Sequence, residues 1–504
     1  MNLTPELEQV RDEIKGYAIE YGLDPFETIF EVLDFEQMNE VASFGGFPTR
    51  YPHWTFGMEY DHLKKSYAYG LHKIYEMVIN NDPSYAYLLK NNALVDQKIV
   101  IAHVYGHTDF FRNNYWFSAT PRKMMDGMAN HATLIRQYID KYGFEEVEKF
   151  LDICLSIDDL VDFHSCFIKR PQTVSKTADI HKKEEDEESE KEKIQPTRFP
   201  AKDYMSGFVN KEEALKEEEA RLKKEEEQKK YKFPLNPEKD ILMFLIDNAP
   251  IGNWQKVILS IIRDEAYYFA PQRATKIMNE GWAVYWHSTI MTEKAMRDSE
   301  LVDYADHHSG TLGSMPGTIN PYKLGVELYR DVEERWNKGR FGKEYNECDD
   351  MQKRKDWDLH LGIGRQKIFH VRRVANDITF IDNFLTKEFC EKHKLFTHKL
   401  NEITGMYEIS DRDFQAVKQK LLFLLTNFGQ PIIRIVNSNY KNRGELYLLH
   451  QHEGVDMDIE YAKDTIENIQ KIWKRSVHLE TRLGDKGKLF TFNGKDHIVL
   501  NTNS

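Results

Sequence analysis

The stretch Ile99-Val-Ile-Ala-His103-Val-Tyr-Gly-His107-Thr-Asp-Phe-Phe111 is apolar almost throughout, yet carries two histidines four residues apart. A run of this kind reads as a helix for the middle of a core, and on a helix residues four apart lie one above the other. Both imidazoles therefore share one face. Burying them is costly unless they are hydrogen-bonded or ligate something, so the fold must bring polar groups to that face. A distant fragment offers them: Asn279-Glu280-Gly-Trp-Ala-Val-Tyr-Trp-His287. Zincins pair His-x-x-x-His with a third ligand from a later helix, often a glutamate. His103, His107 and Glu280 are accordingly the expected ligands of one ion, zinc or another divalent metal. The working zincin motif is His-Glu-x-x-His, whereas position 104 here is Val. The pattern thus points to a metal centre more strongly than to a peptidase, and a metal-dependent hydrolase is one reading of it.

Two further ionisable residues face inward by periodicity. Glu265 falls three and four positions after Ile262 and Ile261, and His287 follows Ile277, Glu280 and Val284 on one helical face. Glu280 and His287 are seven residues apart, about 10 Å along a helix at ~1.5 Å per residue, so they are not expected to share an ion. Glu265 and His287 are instead the candidate catalytic acid/base groups: with Val at 104, some other group must accept the proton that a hydrolase removes from water. A plainer role exists for each: Glu265 can pair with an arginine and the histidines can be core hydrogen-bond partners. A two-metal carboxylate site recruiting Glu265 is a third arrangement. His131 reads as a hydrogen-bonded core histidine, His307-His308 as a solvent-facing loop edge, and the Trp282/Tyr285/Trp286 cluster as core.

At 504 residues the chain exceeds what one core usually holds. Its 41% hydrophobic and 12% aromatic content is globular, and a net charge of −13 argues against a general grip on nucleic acid. Four cysteines without a Cys-x-x-Cys pair read as reduced thiols. The charged N-terminal segment is no signal peptide, and no run approaches the ~18–20 apolar residues of a membrane span. A cytoplasmic protein without a membrane span is expected.

Periodicity divides the chain into a helical first half of a metal-site region (1–175), a charged Lys/Glu-rich linker or exposed helix (176–232), a helical second half carrying Glu-Gly-Trp-Ala (233–345), and an α+β C-terminal domain (366–504). The fold class expected is a mainly α N-terminal region, a zincin-like helical metal-site bundle, plus that α+β domain. The Lys/Glu stretch has no apolar surface to bury and should be excisable. The first-half helices include one started by Asp24-Pro-Phe-Glu27 and ending near Gly45-Gly46. Pro271 should stop the helix that begins near Trp254. Strand candidates are Phe369–Arg372, Pro431–Val436, Glu445–Leu449 and Val477–Thr481, with a hairpin through Gly484-Asp-Lys-Gly487 into Leu489–Phe492.

Several long segments resemble one family. They are Gly46-Phe-Pro-Thr-Arg-Tyr-Pro-His-Trp-Thr-Phe-Gly-Met-Glu59, Tyr75-Glu-Met-Val-Ile-Asn-Asn81, Ala102-His-Val-Tyr-Gly-His-Thr-Asp-Phe-Phe-Arg-Asn-Asn114 and Lys276-Ile-Met-Asn-Glu-Gly-Trp-Ala283. Thr379-Phe-Ile-Asp-Asn-Phe-Leu-Thr386 and Asn442-Arg-Gly-Glu-Leu-Tyr447 complete the set. Across nearly its whole length the chain resembles the SpoVR (stage V sporulation protein R) family. The resemblance implies a role in sporulation, specifically spore cortex formation, or in a related stress response, and a possible partner in a PrkA-type serine kinase. It brings no catalytic residues with it, so the metal site rests on the residues themselves. The alternative reading is a non-catalytic regulatory or interaction protein acting with such a kinase, the His/Glu cluster being structural.

Overall fold

The computed structural model describes residues 2–68, 77–168, 233–313, 318–401 and 404–502. The Lys/Glu stretch 176–232 lies outside the described residues. The chain separates into two compact units, residues 1–150 with 264–430, and residues 151–263 with 431–504.

The first unit is mainly helical. Helix α1 (Pro5–Glu20) starts where the Thr4 hydroxyl accepts from the Leu7 N–H, with proline at its first position, and buries Val10, Ile14 and Ala18 at four-residue spacing. A small sheet follows. Strand β1 (Thr28–Leu33) runs parallel to β3 (Ser84–Leu89), and β2 (Met77–Ile79) runs antiparallel on the other side, giving the order β1-β3-β2. Residues 24–45 are therefore not one helix. Asp34 caps the helix Phe35–Ser43 with Gln37 closing a capping box, and the β-branched run before it is a strand.

Helix α2 (Leu94–Asn113) carries the two histidines and is buried from Val95 to Phe111 apart from Asp96 and Ile99. α3 (Met124–Tyr142) turns Met128, Ala132 and Ile135 inward. α4 (Asn253–Ala274) accommodates Pro271 within its last turn, and its residues from Asp264 onward belong to this unit. α5 (Lys276–Ile290) carries Glu280 and is buried on almost every side. After it come α6 (Leu301–Thr311), α7 (Pro321–Lys338), α8 (Gly364–Val374) and α9 (Asp377–Phe384). Phe369–Arg372, expected as a strand, is helical within α8: four residues are too few to separate a buried strand from a buried helix.

A helix apolar all round needs neighbours on every side, and glycine provides the close approach. A Cβ placed on Gly106 of α2 would lie 2.7 Å from the Ala283 Cα of α5. One large core joins α1, α2, α5, α7, α8 and α9, with Trp282, Trp286, Tyr329 and Phe380 fully buried in it.

In the second unit the sheet has the order β8-β7-β6-β5-β4, from β4 (Ile432–Tyr440), β5 (Glu445–Gln451), β6 (Val477–Leu483), β7 (Lys486–Phe492) and β8 (His497–Thr502). β5 and β6 are parallel, which requires a crossover. Helix α10 (Ile459–Trp473) supplies it, burying Ala462, Ile466, Ile469, Ile472 and Trp473 on one face. The helix Ile241–Asn248 belongs to the same unit, capped by Asp240, which also binds Arg263 at 2.7 Å.

Candidate metal centre

His103 and His107 project from α2 toward α5, where Glu280 meets them. The Glu280 Oε2 atom lies 3.5 Å from His103 Nε2 and 3.4 Å from His107 Nε2, and the three side chains are buried. Ligating atoms of all three fall within 4.8 Å of one another, so the group can hold a metal ion. The spacing fits one. Ligands about 2.05 Å from a tetrahedral zinc stand roughly 3.3 Å apart, close to both separations, whereas a direct N–H···O hydrogen bond is usually nearer 2.9 Å.

The surrounding bonds orient the rings. His107 Nδ1 lies 2.9 Å from Asn279 Oδ1. A carbonyl oxygen only accepts, so His107 carries its proton on Nδ1 and turns the Nε2 lone pair toward Glu280. His103 Nδ1 is 2.8 Å from His287 Nδ1, and His287 Nε2 is 3.2 Å from His308 Nδ1. With His103 donating from Nδ1, each ring donates to the next and the His103 Nε2 lone pair also faces the cradle. The Lys276 ammonium, one turn earlier on α5, contacts the other Glu280 oxygen.

Electrostatics follow from burial and neighbours. Burial opposes the Glu280 charge; the Lys276 ammonium, together with His107 and His103 when an Nε2 proton in place of the lone pair faces the carboxylate, outweighs it and holds the carboxyl well below the usual range. Burial drives His287 the other way, and with His103, His308 and Arg330 around it the ring is neutral. The N-terminus of α5 is anchored by Asp377 of α9, whose carboxylate accepts from the Ile277 and Met278 N–H groups at 2.8 and 2.9 Å. Asp109 accepts from the indole N–H of Trp282 at 2.8 Å and so ties α2 to α5 about half a turn past His107.

The sequence candidates thus separate. His103, His107 and Glu280 converge, and His287 backs His103 without joining the ligand atoms. Glu265 is held elsewhere: Arg50 reaches its Oε2 at 2.6 Å and His131 Nδ1 its Oε1 at 3.1 Å. His308, expected at a solvent-facing loop edge, is on α6 and half-buried, its ring stacked on Tyr304. Its neighbour His307 contacts Asp96. Asn279 and Asp377 were not singled out by sequence reasoning. Asn279 had a signal, since it immediately precedes the expected ligand; Asp377 acts across 100 positions and had none.

Comparison with known proteins agrees with the segment resemblance. The family described as SpoVR like protein matches residues 2–430, and the SpoVR-like C-terminal domain matches residues 431–484. An uncharacterized protein of Escherichia coli (strain K12), YcgB, is 29% identical over 505 aligned positions, covering 94% of this chain and 91% of the relative. No solved structure matches the chain. Among the described residues no helix is long and apolar enough to cross a membrane.

Proposed function

The chain belongs to the SpoVR family, and from that premise we propose that it is a cytoplasmic protein whose working part is a divalent-metal centre formed by His103, His107 and Glu280. The observation that carries this reading is the pair of 3.4–3.5 Å separations between one buried carboxylate oxygen and two imidazole nitrogens. The fold of the centre is of the zincin kind in its ligand order, a helical His-x-x-x-His followed by a glutamate on a later helix. An ion there supplies Lewis-acid polarisation. Asn279 and His287 orient the two imidazoles, and Lys276 holds the outer carboxylate oxygen. Of the two proton acceptors proposed from sequence, His287 stands behind His103, its Nδ1 2.8 Å from that ring's Nδ1 on the side away from Glu280, and so orients the ligand ring. Glu265 is engaged by Arg50 and His131. The process served is spore cortex formation, or a related stress response in hosts that form no spores.

Val104, fully buried in apolar surroundings where zincins keep their catalytic glutamate, favours a second reading. In it the ion is structural and the protein regulates or docks beside a PrkA-type serine kinase. Complementation of a deletion strain separates the two. His103→Ala should fail to restore the phenotype under both readings. His287→Asn should fail with metal still bound if the centre is catalytic, and should restore it if the ion is structural. Full restoration by His103→Ala would end both.

A further inference from the structure

A cavity of about 410 Å³ opens in the first unit between the start of α7, the helix Lys387–His393 with the strand Thr397–Asn401 after it, and the helix Phe414–Leu425. Its size falls at the small end of ligand pockets, which span roughly 300–1,000 Å³. Leu324, Phe389, Val417 and Leu421 form an apolar floor and are all buried. His393 extends that floor, its ring 4.4 Å from Phe389, and burial lowers its pKa so that the ring adds apolar wall more than charge.

The rim has the opposite character. Lys323, Lys394 and Lys420 line it, and all three are exposed. Among the described residues of the lining the one carboxylate is Glu327, which is bonded to Arg330 at 3.0 Å. Three ammonium groups around one apolar pocket stand out on a chain of net charge −13. Lys394 adds a further point. It closes its helix at φ +52° and so sits at the turn from that helix into the strand that walls the cavity.

We propose that this cavity binds a small amphipathic anion, an apolar chain or ring system ending in one carboxylate or phosphate. The apolar part would fill the floor, and the head would meet the lysines at the rim. The site uses none of His103, His107 and Glu280, so it stands or falls independently of the metal centre.

Calorimetric titration of the full chain below micellar concentrations tests it, with octanoate, decanoate, decyl phosphate, decanol and decyltrimethylammonium as probes. Decanoate should bind one-to-one and about fifteenfold tighter than octanoate, since each of its two extra buried methylenes is worth roughly fourfold. Decyltrimethylammonium should bind at least about tenfold more weakly than decanoate, because its charge opposes the rim. Lys323→Glu with Lys420→Glu should weaken decanoate about tenfold or more while the melting temperature holds, both side chains being exposed. Decyl phosphate binding tighter than decanoate would support a phosphate head, and the reverse order a carboxylate head. Equal binding of the cationic probe, no binding of any anion at millimolar concentration, or indifference to the charge reversal would overturn the proposal.

Discussion

Gly281 of α5 meets Gly325 of α7 backbone to backbone: a Cβ placed on Gly281 would fall 2.4 Å from the Gly325 Cα, and one on Gly325 would fall 2.1 Å from the Ile277 carbonyl oxygen. Real Cβ atoms do not approach so closely, and neither obstacle is a side chain that can swing away. Glu280 is the residue beside this contact, so helix packing sets where the carboxylate stands.

Gly281→Ala should therefore lower stability by about 1–3 kcal/mol, the usual cost of overpacking, and weaken metal binding with it. Denaturant midpoints and metal titration on the same samples check both. An alanine variant as stable as wild type would show that the two helices have slack between them.

Asn279→Ala removes the acceptor that fixes His107 while leaving all three ligand side chains in place. Partners of this kind typically contribute 10–100-fold to metal affinity, so a loss of about that size is expected in zinc titration. Unchanged affinity would mean that packing alone, such as the stack of His107 on Phe111, orients the ring.

Burial pushes the Asp377 carboxyl up to about 7, against the pull of the two backbone N–H groups it accepts from. Its unfolded value is near 3.9. Between those values the folded protein keeps a proton that the unfolded chain has released, so stability from this group is present below about pH 4 and is lost as pH rises toward 7. Urea midpoints at pH 5, 6 and 7.5 should fall more steeply with pH for wild type than for Asp377→Asn. Parallel curves would place the Asp377 titration outside that window.

Arg50 and Glu265 are both buried, their side chains each 7% exposed. Breaking one side of such a pair leaves an uncompensated charge, which commonly costs about 3–5 kcal/mol. Arg50→Met should thus destabilise the protein severely, and Arg50→Met with Glu265→Gln should recover much of the loss. Metal content should stay at the wild-type level in the double variant. If the double variant is no better than the single, the arginine acts through its contacts with Tyr51 and Phe56 rather than its charge.

The ligand set could be read from sequence because its signal is local. Four-residue spacing inside an apolar helix fixes where His103 and His107 point, and Glu280 obeys the same periodicity on its own helix. What joins them is not local. His308 reaches His287 from a helix that its polar, turn-like sequence disguised, and Asp377 caps α5 from another element altogether. The same limit explains the errors in the fold. Asp24-Pro-Phe-Glu27 looks like a helix start, but the strand after it is decided by its pairing with Ser84–Leu89, some fifty positions on. Phe369–Arg372 has strand residues and a helix's place, between Trp282 and the buried Asp109. Helical regions around the site and a sheet near the C-terminus were both legible, since long periodic segments survive such local misreadings.

His103, His107 and Glu280 should together hold one ion, and metal analysis of the purified protein decides whether they do. Elemental analysis by mass spectrometry, after reconstitution with zinc and removal of excess, should give about one equivalent for wild type and for Glu265→Gln, and far less for His103→Ala and Glu280→Gln. A wild-type protein that retains no metal, or a Glu280→Gln variant that retains as much as wild type, would contradict it.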